Sequence, residues 1–421
     1  MFKNPTTYNG FPPLAKAQLI QLLGGWEGYQ LGTVGRQKSM DGSEEIWLEL
    51  VPRDQRHKIC SGCGQVVEAV HDRMERWVRD LPLLGATVWL LVWRCRLACP
   101  RCGPKLERLS WLAPYARVTR RLELEVARLC RWLTVAHAAE YFGLHRHTVK
   151  EIDKTYLRAR LGAPDLSGVE VVAMDEFALH KGHRYATVFV EPRTRRVLWV
   201  CLGRTREQIR PFFEALGAEG RRALKAVVMD MNGAFEQEVR RQCPQVQIVY
   251  DLFHIVSNYG KQVVDRVRLN EVQRLRQDKP RRTVIKGSRW LLLRNRENLA
   301  PDQKIQLAEL LAANQALATV YILKEDLKEL WRYVRRPAAL NFWKNWHGRA
   351  MASGIAPLRH FAHCLEGKLE GILAHCRWPF HTSLLEGINN KIKVLKRMAY
   401  GYRDHEYFFL KIRAAFPGNP P

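Results

Sequence analysis

Hydrophobic and polar positions along the chain change period several times. Residues 1–58 carry no clear pattern. Around Val88-Trp89-Leu90-Leu91-Val92-Trp93 the chain is rich in β-forming residues. Helical spacing of apolar residues dominates from about 120 to 160. Short apolar runs then alternate with amphipathic stretches over about 168–275. A long, charged helical region fills about 280–375, and the last part, about 378–413, is again helical.

The middle region is the most informative. Val169–Met174 is an apolar run ending at Asp175. Ala186–Glu191 and Arg196–Leu202 are two further strands joined by the turn Pro192-Arg193-Thr194. A helix over Glu207–Leu216 follows, then a strand over Leu224–Met229 ending at Asp230. A short helix over Ala234–Arg241 precedes a fifth strand, Val246–Tyr250, ending at Asp251. An amphipathic helix with Leu252, Val256, Tyr259, Val263 and Val267 on its apolar side comes next. The order β-β-β-α-β-α-β-α is the ribonuclease-H-like order. In it the first and fourth strands are parallel neighbours. Strand alternation puts Val171, Ala173 and Asp175 on one face, and Ala226, Val228 and Asp230 on one face.

Charge narrows the function. The 421 residues carry a formal net charge of +26, which points to a polyanionic partner, nucleic acid being the commonest. A membrane surface is the rival, but no apolar run reaches the roughly 18 residues needed to span a bilayer. The longest candidate, Leu81–Trp93, is too short. The N-terminus has no signal-peptide pattern, so the chain reads as cytosolic.

Five of the ten cysteines fall between Cys60 and Cys102. Cys60-Ser-Gly-Cys63 and Cys99-Pro-Arg-Cys102 are two C-x2-C knuckles. Two such turns facing each other offer four thiolates in the tetrahedral arrangement that suits structural zinc. The β-formers between them fit a zinc ribbon. Cys95 is an alternative to Cys99 as ligand. Further on, Ala139, Gly143, Val149 and Ile152 stand at helix-turn-helix offsets. The first helix is expected over about Val135–Phe142. The second, starting near His145, presents Arg146, His147 and Lys150 to the major groove. An ordinary helical hairpin would show similar spacing.

The two aspartates at strand ends need a partner, because a carboxylate at the end of an apolar strand is costly to bury alone. Hard Mg²⁺ prefers carboxylate oxygens, and a two-ion site serves in-line phosphoryl displacement. The bland alternative is that Asp175 and Asp230 cap the next turn. A third carboxylate is offered by Glu386 in His381-Thr-Ser-Leu-Leu-Glu386-Gly-Ile-Asn-Asn390-Lys-Ile-Lys393. This helix has Leu385, Ile388, Ile392 and Leu395 on one face, and Glu386, Asn390, Lys393 and Arg397 on the other. The latter face suits a DNA backbone. Ser383-x-x-Glu386 is also a capping box, and Asp251, Asp265, Glu366 and Glu370 are competing third ligands.

Together these residues resemble the insertion-sequence L-three family of bacterial transposases, of the DDE class. The resemblance spans about 58–413. It rests on the knuckles, the helix-turn-helix and three blocks: Val172-Ala-Met-Asp175-Glu-Phe, Val227-Val-Met-Asp230-Met-Asn232, and Leu385-Glu386-Gly-Ile-Asn-Asn390-Lys-Ile-Lys393. Tyr250-Asp251-Leu-Phe-His254 and Ala399-Tyr400-Gly401-Tyr402 add to it. The resemblance implies a multidomain α+β chain. Its expected parts are an unassigned segment (1–58), a zinc ribbon (59–110), a helix-turn-helix domain (118–162) and a ribonuclease-H-like α/β core (168–275). A helical insertion (276–377) and C-terminal helices completing the core (378–413) follow. It implies the catalytic triad Asp175, Asp230 and Glu386 holding Mg²⁺ or Mn²⁺, and structural Zn²⁺. It also implies cleavage of double-stranded DNA at element ends and strand transfer into target DNA, by a homodimer or higher oligomer. A non-catalytic DNA-binding regulator or another ribonuclease-H-like nuclease are the competing functions. Residues 261–300 hold twelve Lys or Arg against four Asp or Glu. With Trp290, Trp331, Trp343 and Trp346 they form either a DNA-tracking region that stacks on bases or a helical subdomain with tryptophans in its core.

Overall fold

The computed structural model describes residues 25–39, 42–180, 182, 184–380 and 383–419, excluding the side chains of 383 and 384. The chain divides after Arg160 into two compact units.

The first unit is built on a five-stranded sheet. Its strands are β1 (Tyr29–Lys38), β2 (Glu44–Pro52), β3 (Val70–Leu83), β4 (Ala86–Cys99) and β5 (Gly103–Leu106). Their order is β1-β2-β4-β3, with β5 on β4. The segment that the sequence left unassigned thus supplies two strands, and β2 runs parallel to β4. Alternation along β4 sends Ala86, Val88, Leu90 and Val92 into a core with Tyr29, Leu50 and Trp111. Gly35 of β1 lies against the Trp47 ring, where any Cβ would overlap it.

Helices α1 (Arg120–Leu129), α2 (Val135–Phe142) and α3 (Arg146–Leu161) follow. Thr119 and Thr134 cap the first two, each accepting from a backbone N–H three residues on. Gly143 closes α2 at φ 59°, a left-handed conformation that favours glycine. Ala138, Ala139, Phe142 and Val149 share one core with Leu122 and Val126 of α1, and Ile152 packs at its edge. Strand β3 is fastened to these helices: Arg79 donates to Phe142 O (2.8 Å), and buried Asp80 accepts from Thr119 (2.6 Å) and Arg121.

The second unit contains β6 (Val171–His180), β7 (Arg184–Glu191), β8 (Arg196–Leu202), α4 (Arg206–Ala223), β9 (Ala226–Met229), α5 (Gly233–Gln242), β10 (Gln247–Tyr250) and α6 (Leu252–Tyr259). The sheet order is β10-β9-β6-β7-β8. The β6–β9 and β9–β10 pairs are parallel; β6–β7 and β7–β8 are antiparallel. One expectation needs correction. The first strand does not end at Asp175 but runs on to His180, because β7 pairs along that whole length. What stops near Asp175 is β9, whose pairing with β6 ends at Ala173.

Helix α4 also outruns its expected end at Leu216, passing non-helical backbone at Gly217. The helix after β10 is long but not uniform. A π turn, Gly260–Val264, joins α6 to α7 (Asp265–Arg274). The extra residue lets adjacent Val263 and Val264 both be buried, and Leu293 closes over Gly260.

Residues 279–376 are almost wholly helical. They form α8 (Lys279–Gly287), α9 (Arg289–Leu293), α10 (Pro301–Ala313), α11 (Gln315–Glu329), α12 (Arg336–Ala352), α13 (Ala356–Glu366) and α14 (Leu369–Leu373). Their apolar faces merge with one side of the sheet into a single core. Helices α15 (Ser383–Met398) and α16 (His405–Ala415) cover the other side. There Leu385, Ile388 and Ile392 meet Val171, Ala173 and Val228. Beyond α16, Asn419 N donates to Thr194 O (2.7 Å) in the β7–β8 turn. No described helix is long and apolar enough to cross a membrane.

Candidate active site

Residues on β6 alternate between the two cores. Val172 and Met174 face the large helical side, while Val171, Ala173 and Phe177 face α15 and α16. Asp175 falls on the latter side and is buried. Asp230 and Asp251 each directly follow a strand, β9 and β10, at the same end of the sheet. Each aspartate accepts a hydrogen bond from backbone just ahead of it: Asp175 from Glu176 N (2.7 Å), Asp230 from Met231 N (2.6 Å) and Asp251 from Phe253 N (2.6 Å). The turn-capping role weighed for Asp175 does not apply, since Asp175 lies within β6; Asp251 is the residue that caps a helix, α6, and each of these bonds occupies one oxygen.

What brings the three together is His254, on the first turn of α6. Its Nδ1 lies 3.5 Å from Asp230 Oδ2. Its Nε2 lies 3.7 Å from Asp175 Oδ1 and 3.7 Å from Asp251 Oδ2. Burial works against the imidazolium, but the bond to Asp175 and the charges of Asp230, Asp175 and Asp251 outweigh it. The pKa rises to about 9. Asn389 of α15 completes the group, donating from Nδ2 to Asp175 Oδ2 at 2.7 Å.

Asp175, Asp251 and His254 line a cavity of about 490 Å³ whose other wall is α15, with Glu386, Asn389, Lys393, Lys396 and Arg397. Glu386 is thus on the cavity shared with Asp175, and Asp230 reaches the group through His254. The helix exposes Glu386, Asn390, Lys393 and Arg397. Lys393 Nζ bonds Asn390 Oδ1 (3.3 Å). His381 lies outside the described residues, and so does the Ser383 side chain of the capping box. The other candidate ligands are engaged elsewhere: Asp265 with Arg268 and Arg289, Glu370 with Arg336, and Glu366 beside His347 and His363.

In the first unit, Cys60, Cys63, Cys99 and Cys102 converge, their sulfurs all within 4.8 Å of one another. Cys60 and Cys63 sit on the turn before β3; Cys99 and Cys102 flank the β4–β5 hairpin. Cys95 is not in this group; its sulfur faces Arg56 (3.6 Å). Backbone N–H groups of Cys63 and Gly62 pull the Cys60 thiol down to about 7, and the neighbouring thiols push Cys102 up to about 12. Four thiolates this close repel one another unless a cation sits among them, which is the donor set zinc takes. On α3, Arg146 and His147 are exposed, whereas Lys150 is half-buried and 2.9 Å from Glu151.

A family model described as transposase, for the DDE domain of the ISL3 family, matches residues 172–412. The chain belongs to the ISL3 family of transposases. Two further ISL3 models match: the helix-turn-helix domain at 107–157, and the zinc finger of transposases IS204/IS1001/IS1096/IS1165 at 56–102. The chain is 52% identical to the transposase for insertion sequence element IS1001 of Bordetella parapertussis, over 96% of its own length and 98% of the relative's. It is 24% identical to the transposase for IS1557 of Mycobacterium tuberculosis, over 90% of each.

Two residues of this candidate site in the ISL3 transposase are not singled out by the sequence. His254 stands three residues after Asp251, one helical turn on, within a block already noted for its family likeness. Asn389 adjoins Asn390 but projects from the buried side of α15.

Proposed function

We propose that this transposase binds the ends of an insertion sequence through its zinc ribbon and helix-turn-helix. It then cuts and joins DNA at a divalent-metal site held by Asp175, Asp230 and Glu386. The observation that carries this is the gathering of Asp175 and Asp230 beside one imidazole, just past the point where the parallel pairing of β6 and β9 ends. A DNA-binding regulator needs no such pair. The sheet order and the mixed strand directions support a ribonuclease-H-like core, with residues 276–377 inserted between β10 and α15.

The donors fit a hard cation. Three carboxylates surround one histidine, so even a fully protonated ring leaves them negative overall. Mg²⁺ or Mn²⁺ accepts such oxygens and, when bound, activates a water or 3′-hydroxyl and steadies the leaving oxygen. The protein's own part is to hold its carboxylates in register. Asp175 is fixed by β6, Asp230 by the turn into α5, and Glu386 by α15. Lys393 and Arg397, exposed along the cavity, and Asn390, exposed on the same helix and bonded to Lys393, suit the DNA backbone. Asp251, almost wholly buried and 3.7 Å from His254, is a second reading of the third carboxylate.

Zinc at Cys60, Cys63, Cys99 and Cys102 fixes the β4–β5 hairpin. Arg146, His147 and Lys150 of α3 then read the terminal repeats. The test is direct: labelled element ends incubated with protein and Mg²⁺ acquire a nick at the element boundary. Binding without any nick, in Mg²⁺ or Mn²⁺, would favour a regulator.

A further inference from the structure

Asn389 follows Glu386 by one helical turn, and its amide is nine-tenths buried. Nδ2 donates to Asp175 Oδ2 at 2.7 Å. A carboxylate only accepts, so this contact fixes which way the amide faces. The oxygen Oδ1 must point away from Asp175, and there it is buried with no hydrogen-bond partner. Asn389 lines the same cavity as Asp175 and Glu386. Across the cavity, Glu176 of β6 pairs with Arg204 through Oε1 (2.9 Å), and its Oε2 is likewise buried without a hydrogen-bond partner. Buried acceptors without donors are rare and costly, and two beside a cluster of carboxylates mark a place built for a positive group.

We propose that Asn389 is a positioning residue for the divalent cation. Its nitrogen locks Asp175 to the helix that carries Glu386, and its oxygen adds a neutral acceptor to the cation's surroundings. The proposal rests on the divalent-metal reading above. In that reading Asp175 and Glu386 come from elements far apart in sequence, and only their relative placement makes a site. The Asn389 amide ties Asp175 itself to that helix, which is also held to β6 by Lys396 Nζ donating to Ala178 O (2.7 Å). Partners that orient metal-binding carboxylates typically change metal affinity by about 10–100-fold when removed.

The test measures Mn²⁺ binding to the full-length protein without DNA, by the paramagnetic resonance of free Mn²⁺, alongside thermal melting. Asn389→Leu, close in shape but without either polar atom, is expected to weaken Mn²⁺ binding about 10-fold or more. Asn389→Asp keeps an oxygen toward the cavity and is expected to bind Mn²⁺ within several-fold of the unaltered protein. Its melting temperature without metal should be lower, since a carboxylate then faces Asp175. A merely structural tie predicts the reverse: both variants melt lower, with Mn²⁺ affinity unmoved. Unchanged affinity in Asn389→Leu overturns the proposal. If Asn389→Leu does not fold, loss of Mn²⁺ binding by folded Asn389→Asp overturns it instead. Asp175→Asn serves as control; if it binds Mn²⁺ as the unaltered protein does, the divalent reading itself fails and takes this proposal with it.

Discussion

His254 Nδ1 lies 3.5 Å from Asp230 Oδ2, so the ring that touches the fourth strand's aspartate also bridges to the first strand's Asp175. Without metal, this imidazole is the positive group that lets three carboxylates stand together.

A pH dependence follows from that arrangement. The folded pKa of His254 is raised to about 9 from 6.5. Its stabilising contribution is therefore fully present below pH about 6.5 and is lost as pH rises through about 9. At about 1.4 kcal/mol per unit, the shift corresponds to at most about 3.5 kcal/mol, reduced by solvent screening of this partly exposed ring. In buffer without added Mg²⁺, the melting temperature should fall over that interval by several degrees more than that of His254→Gln. Saturating Mg²⁺ should narrow the difference. Identical pH profiles for the two proteins would contradict the bridging role.

How far could the sequence alone lead to this site? Asp175 and Asp230 were legible because strand alternation has a period of two, and both followed unbroken apolar runs. His254 and Asn389 were not, because each reaches the site only after tertiary packing: one from the turn after β10, the other from a helix more than 130 positions further on. Strand β1 escaped for another reason. It is an edge strand with polar residues on most positions, so it lacks the alternation that marks a half-buried strand. The tryptophans divided as their surroundings dictate. Trp343 and Trp346 stack in the helical core, with Trp346 Nε1 bonded to Leu323 O (2.8 Å), Trp331 stacks on His375, and Trp290 is exposed beneath Arg289.

The knuckle cysteines should matter for binding rather than for chemistry. Cys63→Ser removes one of four converging sulfurs, and its expected effect is a loss of end binding of 10-fold or more, with a lower melting temperature for the first unit. Cys95→Ser should leave zinc content at one ion per chain, since that sulfur faces Arg56. Zinc analysis of the two variants checks this, and equal zinc loss in both would refute the assignment.

Among the α3 side chains, exposure and pairing set an order. Arg146 is exposed, while Lys150 is partly spent on Glu151. Arg146→Ala should weaken binding to element ends by about 1–3 kcal/mol if it reads a base, and Lys150→Ala by less. Titrations at several salt concentrations separate a base contact from a phosphate contact, because only the latter lowers the salt slope. A larger loss from Lys150→Ala than from Arg146→Ala would reverse this picture of the recognition helix.

The central claim is that Asp175 and Asp230 hold the metal that cuts DNA, and its most direct test is strand cleavage at labelled element ends. Asp175→Asn and Asp230→Asn should each lower Mg²⁺-dependent nicking by at least about 10³-fold, while gel-shift affinity for the same ends stays within about two-fold. Full nicking by either variant would contradict the account.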